Sequence, residues 1–173
     1  MRRHSQAGFT LIELMVAISV LAILLSAAVP SFRQFVANTQ IRSTAQSILN
    51  GLQTARAEAV KRNATVAFTL NISDTSWAVG CPTATANCPT NIQSKPAKEG
   101  SSSSVTLAKT GTNTISFSNL GNATTTAGQL SRVDIDYTPA SVYKKLSITI
   151  GAGGNARLCD PSISVTSDPR FCS

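Results

Sequence analysis

From Phe9 to Val29 the chain is apolar at every position except Thr10, Glu13, Ser19 and Ser26. A helix of that length measures about 30 Å, the thickness of a bilayer hydrocarbon core, so residues 9–30 are predicted to span a membrane. Pro30 closes the run, and its missing backbone donor predicts a kink there. Apolar residues then recur every three or four positions, at Ile41, Ala45, Ile48, Leu52, Ala55 and Ala59, with Arg42, Gln46, Gln53 and Arg56 on the opposite side. This period predicts an amphipathic helix over 31–63, with Lys61 and Arg62 suiting its negative end and Asn63 as its cap.

Beyond Asn63 the period shortens to two. ATVAFTL (64–70) and SWAVG (76–80) predict a hairpin around NISDT. NTISFSN (113–119), RVDIDY (132–137) and VYKKLSITI (142–150) predict further strands, the last joined through Gly151-Ala152-Gly153-Gly154 to NARLC (155–159). Residues 81–104 are rich in Pro, Ser and Thr and predict an exposed loop held at its base by Cys81–Cys88. The fold class expected is α+β: one long amino-terminal helix, transmembrane in its first half, packed on an antiparallel β-sheet domain over 64–173.

Composition adds direction. Arg2 and Arg3 precede the apolar run and hold the amino terminus in the cytoplasm, so everything after the run is exported. All four cysteines, Cys81, Cys88, Cys159 and Cys172, lie beyond it, and an even count in an exported domain reads as disulfides. The close pairs favour Cys81–Cys88 and Cys159–Cys172 among the three connectivities that four cysteines allow, and neither spacing matches a zinc knuckle. Without Arg2 and Arg3 the chain keeps 13 basic against 8 acidic residues, hence +5. That excess reads as a solvated basic surface rather than a localised patch.

Little here points to catalysis. The sole histidine, His4, precedes the apolar run, so the rest of the chain offers no imidazole base or His metal ligand. GAGGNA (151–156) matches a dinucleotide fingerprint by letters, but Pro161 follows and no helix can start, so a Gly-rich turn is expected. Asp134 and Asp136 share one strand face without a third carboxylate nearby, which predicts a solvated face rather than a calcium site. The sequons starting at Asn63, Asn71 and Asn122 are expected by chance in a chain this rich in Asn, Ser and Thr. No catalytic residue, cofactor or metal is expected.

The segment GFTLIE, Gly8 to Glu13, fits neither an ordinary secretory signal cut near Ser26-Ala27-Ala28 nor a plain anchor. It resembles the type IV prepilin family. The resemblance implies a leader over 1–8, cleavage by prepilin peptidase between Gly8 and Phe9, and N-methylation of Phe9. It also implies that Glu13 neutralises the new amine of a neighbouring subunit and so sets its register. The segment ARAEAVKRN (55–63), leading into a strand, is similar to minor pilins of the FimU and FimT kind and to the H-type pseudopilin (GspH) of type II secretion. That likeness covers the first seventy residues and, more loosely, the last twenty. The function it implies is a structural subunit of a type IV pilus or type II secretion pseudopilus, helping to prime or cap assembly. Its partners would be other pilins or pseudopilins, the prepilin peptidase and an inner-membrane assembly platform. Its location would be the bacterial inner membrane, single-pass with a periplasmic domain, and then the filament.

The alternative is a DNA-binding minor pilin at the pilus tip. FimT-type pilins that capture DNA carry Gly-Arg-x-Arg in the tail, whereas this chain reads Gly154-Asn155-Ala156-Arg157 and keeps only the second arginine. Arg157, Arg170, Lys144 and Lys145 are the candidate phosphate contacts. Asp160 and Asp168 among them would repel phosphate, and only Phe171 is near for base stacking. A stapled carboxyl-terminal loop at a subunit interface is the reading preferred.

Overall fold

The computed structural model describes residues 9–97, 99–100, 102–124, 127–138 and 143–172. Two compact units emerge, Met1–Val36 and Ala37–Ser173, and helix α1 (Leu11–Arg62, 52 residues) contributes to both. It runs through Pro30 as one helix.

In the first unit the helix buries nothing: Leu11, Ile12, Leu14, Ile18, Leu21, Leu24 and Phe32 are all exposed. Length and composition suit a membrane crossing. Its serines are already satisfied within the helix, Ser19 Oγ donating to the Met15 carbonyl and Ser26 Oγ to the Ile23 carbonyl, both at 2.7 Å. Neither hydroxyl therefore needs a water that a bilayer lacks.

In the second unit the six apolar stripe positions, Ile41 to Ala59, are all buried. The helix ends in two carbonyl-capping bonds, Asn63 N–H to the Val60 carbonyl at 3.2 Å and Ala64 N–H to the Ala59 carbonyl at 3.1 Å. Asn63 takes φ 50°, the left-handed turn that this motif requires.

Among the described residues eight strands follow, arranged as two antiparallel four-stranded sheets. The first contains β1 (Val66–Leu70), β2 (Trp77–Gly80), β3 (Gln93–Lys95) and β5 (Thr114–Phe117), in the order β3-β2-β1-β5. The second contains β4 (Val105–Thr110), β6 (Arg132–Tyr137), β7 (Leu146–Ile150) and β8 (Ala156–Cys159), in the order β4-β6-β7-β8. The expected hairpin is β1 with β2, registered Ala67↔Gly80 to Leu70↔Trp77. Phe68, Phe117, Val133, Ile135 and Ile148 are buried with the helix stripe in one core.

Three expectations change. The segment 81–104 is not one exposed loop: it contains β3, and both Cys81 and Cys88 are buried. Strand β4 forms where none was expected. The strand expected over 142–150 starts at Leu146; Val142 lies outside the described residues, and Tyr143 to Lys145 are irregular.

The chain leaves the second sheet and enters the first through Gly111, at φ 93°, where a Cβ would lie 2.0 Å from the Gln129 carbonyl oxygen. Only glycine fits that crossing.

Candidate functional site

The amino-terminal end of α1 carries the residues that the sequence singled out. Gly8 and the residues before it lie outside the described residues. Phe9 and Thr10 precede the helix, which begins at Leu11. Thr10 Oγ1 accepts the Glu13 N–H at 3.3 Å, and the Leu14 N–H reaches the Thr10 carbonyl at 3.2 Å. Thr10 is therefore the N-cap and Glu13 the third helical residue, the spacing of a capping box. Thr-x-x-Glu was present in the sequence as the signal for this cap, although the reading there concerned Glu13 alone. The backbone N–H of Glu13 is thus taken up locally, and a negative side chain suits the positive helix end. Its carboxylate has no hydrogen bond or ion pair among the described residues. Phe9 beside it is largely exposed.

The second candidate group is the carboxyl-terminal tail. Disulfides join Cys81 to Cys88 and Cys159 to Cys172, with Cα separations of 5.8 and 5.2 Å. The second one draws the tail back along β8: Asp160 N–H donates to the Arg170 carbonyl at 2.8 Å, and Arg157 Nη2 donates to the Phe171 carbonyl at 3.0 Å.

Arg157 lies on β8 and Arg170 in the tail that is tied back to it, and their charges turn to different neighbours. Arg170 pairs with Asp168 at 2.9 Å, which lowers the carboxyl pKa and raises that of the guanidinium. Asp160 is also held below the usual carboxylate range, first by the Ser162 hydroxyl and then by the nearby charges of Arg170 and Lys144. Lys145 pairs with Asp136 at 2.6 Å. Burial pushes the Asp136 pKa up, but the Lys145 ammonium and the Tyr137 N–H together bring it below its ordinary value. Lys144 is exposed, and its backbone N–H donates to Asn38 Oδ1 at 2.9 Å.

The outer face of β6 is equally compensated. Arg132 bridges Asp134 at 2.8 Å, and the buried Ser147 hydroxyl also donates to Asp134. Among the described residues no three His, Cys, Asp or Glu side chains converge to hold a metal ion.

A capped apolar helix whose carboxylate near its start is unpaired among the described residues, continuing into a two-sheet domain, defines a pilin-like protein. Residues 44–162 match the family Type II transport protein GspH, and residues 3–29 match the prokaryotic N-terminal methylation motif. The chain belongs to the GspH family.

Among relatives, a fimbrial protein of Pseudomonas aeruginosa is 33% identical over 76 residues, 44% of this chain and 49% of that one. The type IV major fimbrial protein FimA of Dichelobacter nodosus is 42% identical over 48 residues, 28% and 29% of the two chains. This chain thus spans about half the length, or less, of these relatives. Two solved structures share the fold. The minor pseudopilin EpsH from the Vibrio cholerae type 2 secretion system has a TM-score of 0.54 at 14% identity, covering 72% of this chain and 99% of that one. The type IV minor pilin FimU of Pseudomonas aeruginosa has a TM-score of 0.52 at 14% identity, covering 72% and 91%.

Proposed function

We propose that this chain is a minor pilin or H-type pseudopilin, a structural subunit without turnover that helps prime or cap a filament. It is made with the leader 1–8, cut between Gly8 and Phe9 by a prepilin peptidase and methylated at Phe9. Residues 9–30 hold it in the inner membrane with the amino terminus cytoplasmic and the domain periplasmic. An inner-membrane assembly platform then moves it into a filament of other pilins or pseudopilins.

The observation that carries this reading is the Glu13 carboxylate, unpartnered among the described residues at the head of an exposed apolar helix. Once Phe9 is the first residue its amine is positive, and inside a filament neither charge has water. A neighbouring subunit's Glu13 facing that amine turns two costly isolated charges into one pair.

The capping geometry sharpens the test. Glutamine serves the third position of a capping box as glutamate does, but it carries no charge. Glu13→Gln is therefore expected to leave a processed, membrane-held chain that is absent from sheared filaments, as is Glu13→Val. Immunoblots of membrane and filament fractions measure this. Normal incorporation of Glu13→Gln would show that the charge pairing is dispensable.

The DNA-binding alternative gains nothing from the tail. Arg170 and Lys145 are each paired with a carboxylate, and Arg157 is engaged with the Phe171 carbonyl.

A further inference from the structure

Two sheets have four outer edges, and the described residues treat them differently. The free edge of β5 is covered by the segment after it: Thr124 N–H donates to the Ser116 carbonyl and Leu130 N–H to the Thr114 carbonyl. The free edge of β8 is covered at its end by the tail, through Asp160 and Arg170. Strand β3 has only three residues. Strand β4 has six, and among the described residues no strand lies beyond it.

The bonding phase of β4 can be read from its neighbours. Thr138 N–H donates to the Ser104 carbonyl at 2.7 Å, extending the Val105↔Tyr137 register by one position. Antiparallel bonding alternates, so residues 106, 108 and 110 turn their N–H and C=O groups toward β6, and 105, 107 and 109 turn theirs outward. The far side of β6 agrees with this phase: Ile150 N–H donates to the Ser131 carbonyl, placing the odd residues of β6 against β7. The Val105 N–H is taken by the Ser102 carbonyl at 3.0 Å. The open groups are then the N–H and C=O of Leu107 and Lys109, with the C=O of Val105.

We propose that this edge is an interaction surface for a second copy of the same chain, pairing β4 antiparallel to β4 about Leu107. The edge is complementary to itself. Residue 107 faces 107, and 105 faces 109, so every outward-turned residue meets another outward-turned residue. Lys109 faces Val105 of the second copy rather than its lysine, which keeps like charges apart. An edge lysine commonly guards against such pairing. Here its ammonium is folded back onto the Gly111 carbonyl at 2.7 Å. The product is one eight-stranded sheet across two copies. This surface is separate from α1 and Glu13, so it goes beyond the filament reading and does not depend on it.

Amide exchange of the full chain in detergent micelles tests it. The amides of Leu107 and Lys109 are expected to exchange more slowly as protein concentration rises, while those of Thr106 and Ala108, already bonded to β6, stay constant. Lys109→Pro removes one outward N–H, which an edge strand tolerates, and should abolish the concentration dependence at Leu107. Association through α1 would leave the Leu107 amide unaffected, so the two contacts are separable. Concentration-independent exchange at Leu107 in the unsubstituted chain, or slowing that persists in Lys109→Pro, overturns the proposal.

Discussion

Gly51 sits in the middle of a helix, where glycine is ordinarily unfavourable by about 1 kcal/mol relative to alanine. Its position explains the choice. A Cβ there would lie 2.6 Å from the Phe68 ring and 3.1 Å from ring carbons of Trp77, whose indole N–H is held by Ser47 Oγ at 3.0 Å. Overpacking of this kind typically costs about 1–3 kcal/mol, more than the propensity gain. Gly51→Ala is therefore expected to lower stability by about 1–2 kcal/mol in urea unfolding, with a shift in Trp77 fluorescence. A stabilised variant would mean that the ring pair gives way easily. Nothing local marked this residue, because its reason lies in two aromatic side chains seventeen and twenty-six positions away. Glu13 is the opposite case. Its unusual place in an apolar run was plain from the sequence, whereas its cap by Thr10 Oγ1 emerges from the structure.

At the scale of elements, legibility followed period and partner distance. The stripe from Ile41 to Ala59 could be read because one helix face is buried throughout. Strand β6 was legible to the residue because Val133 and Ile135 alternate with charged neighbours. Strand β3, Gln-Ser-Lys, has no apolar residue and is a strand only because β2 pairs with it. Strand β4 follows a serine run and offers just Val105 and Leu107 inward, against β6 partners some thirty positions away. The split into two sheets is a matter of strand order, which no short window contains. The tail is an element of its own, fixed to β8 by Cys159–Cys172 across a separation of 13 residues. Loop-closure entropy for that length is worth about 3 kcal/mol. Replacing both cysteines by alanine is expected to lower the melting temperature by roughly 6–12 °C in calorimetry. Amide protection should fall first at Asp160, whose N–H bonds to the Arg170 carbonyl. If protection there is unchanged, hydrogen bonds rather than the disulfide hold the tail.

At the scale of the whole molecule, Glu58, Asp134, Asp136 and Asp168 each pair with a basic side chain, and two consequences follow. Glu58, held down chiefly by Arg62, joins Asp136 and Asp160 as carboxyls with lowered pKa values in the folded domain. A lowered folded pKa stabilises above the ordinary carboxylate value, and the contribution is lost as pH falls through the folded one. With no histidine after His4, the melting temperature should be flat between about pH 5 and 8 and decline only below about pH 4. A transition near pH 6 would contradict this. The same pairing bears on nucleic acid. A net excess of five positive charges draws any polyanion weakly, but salt-sensitive affinity requires cations free to displace counterions from phosphate. Arg170 and Lys145 would have to leave Asp168 and Asp136, and those carboxylates would stay beside the phosphates. Titrating the full chain in micelles with duplex DNA at two salt concentrations should therefore give weak binding at low salt and none near physiological salt. Arg157→Ala should change it little, loosening the tail at Phe171 instead. Tight, steeply salt-dependent binding lost in Arg157→Ala would turn the tail from a structural clasp into a phosphate-reading surface.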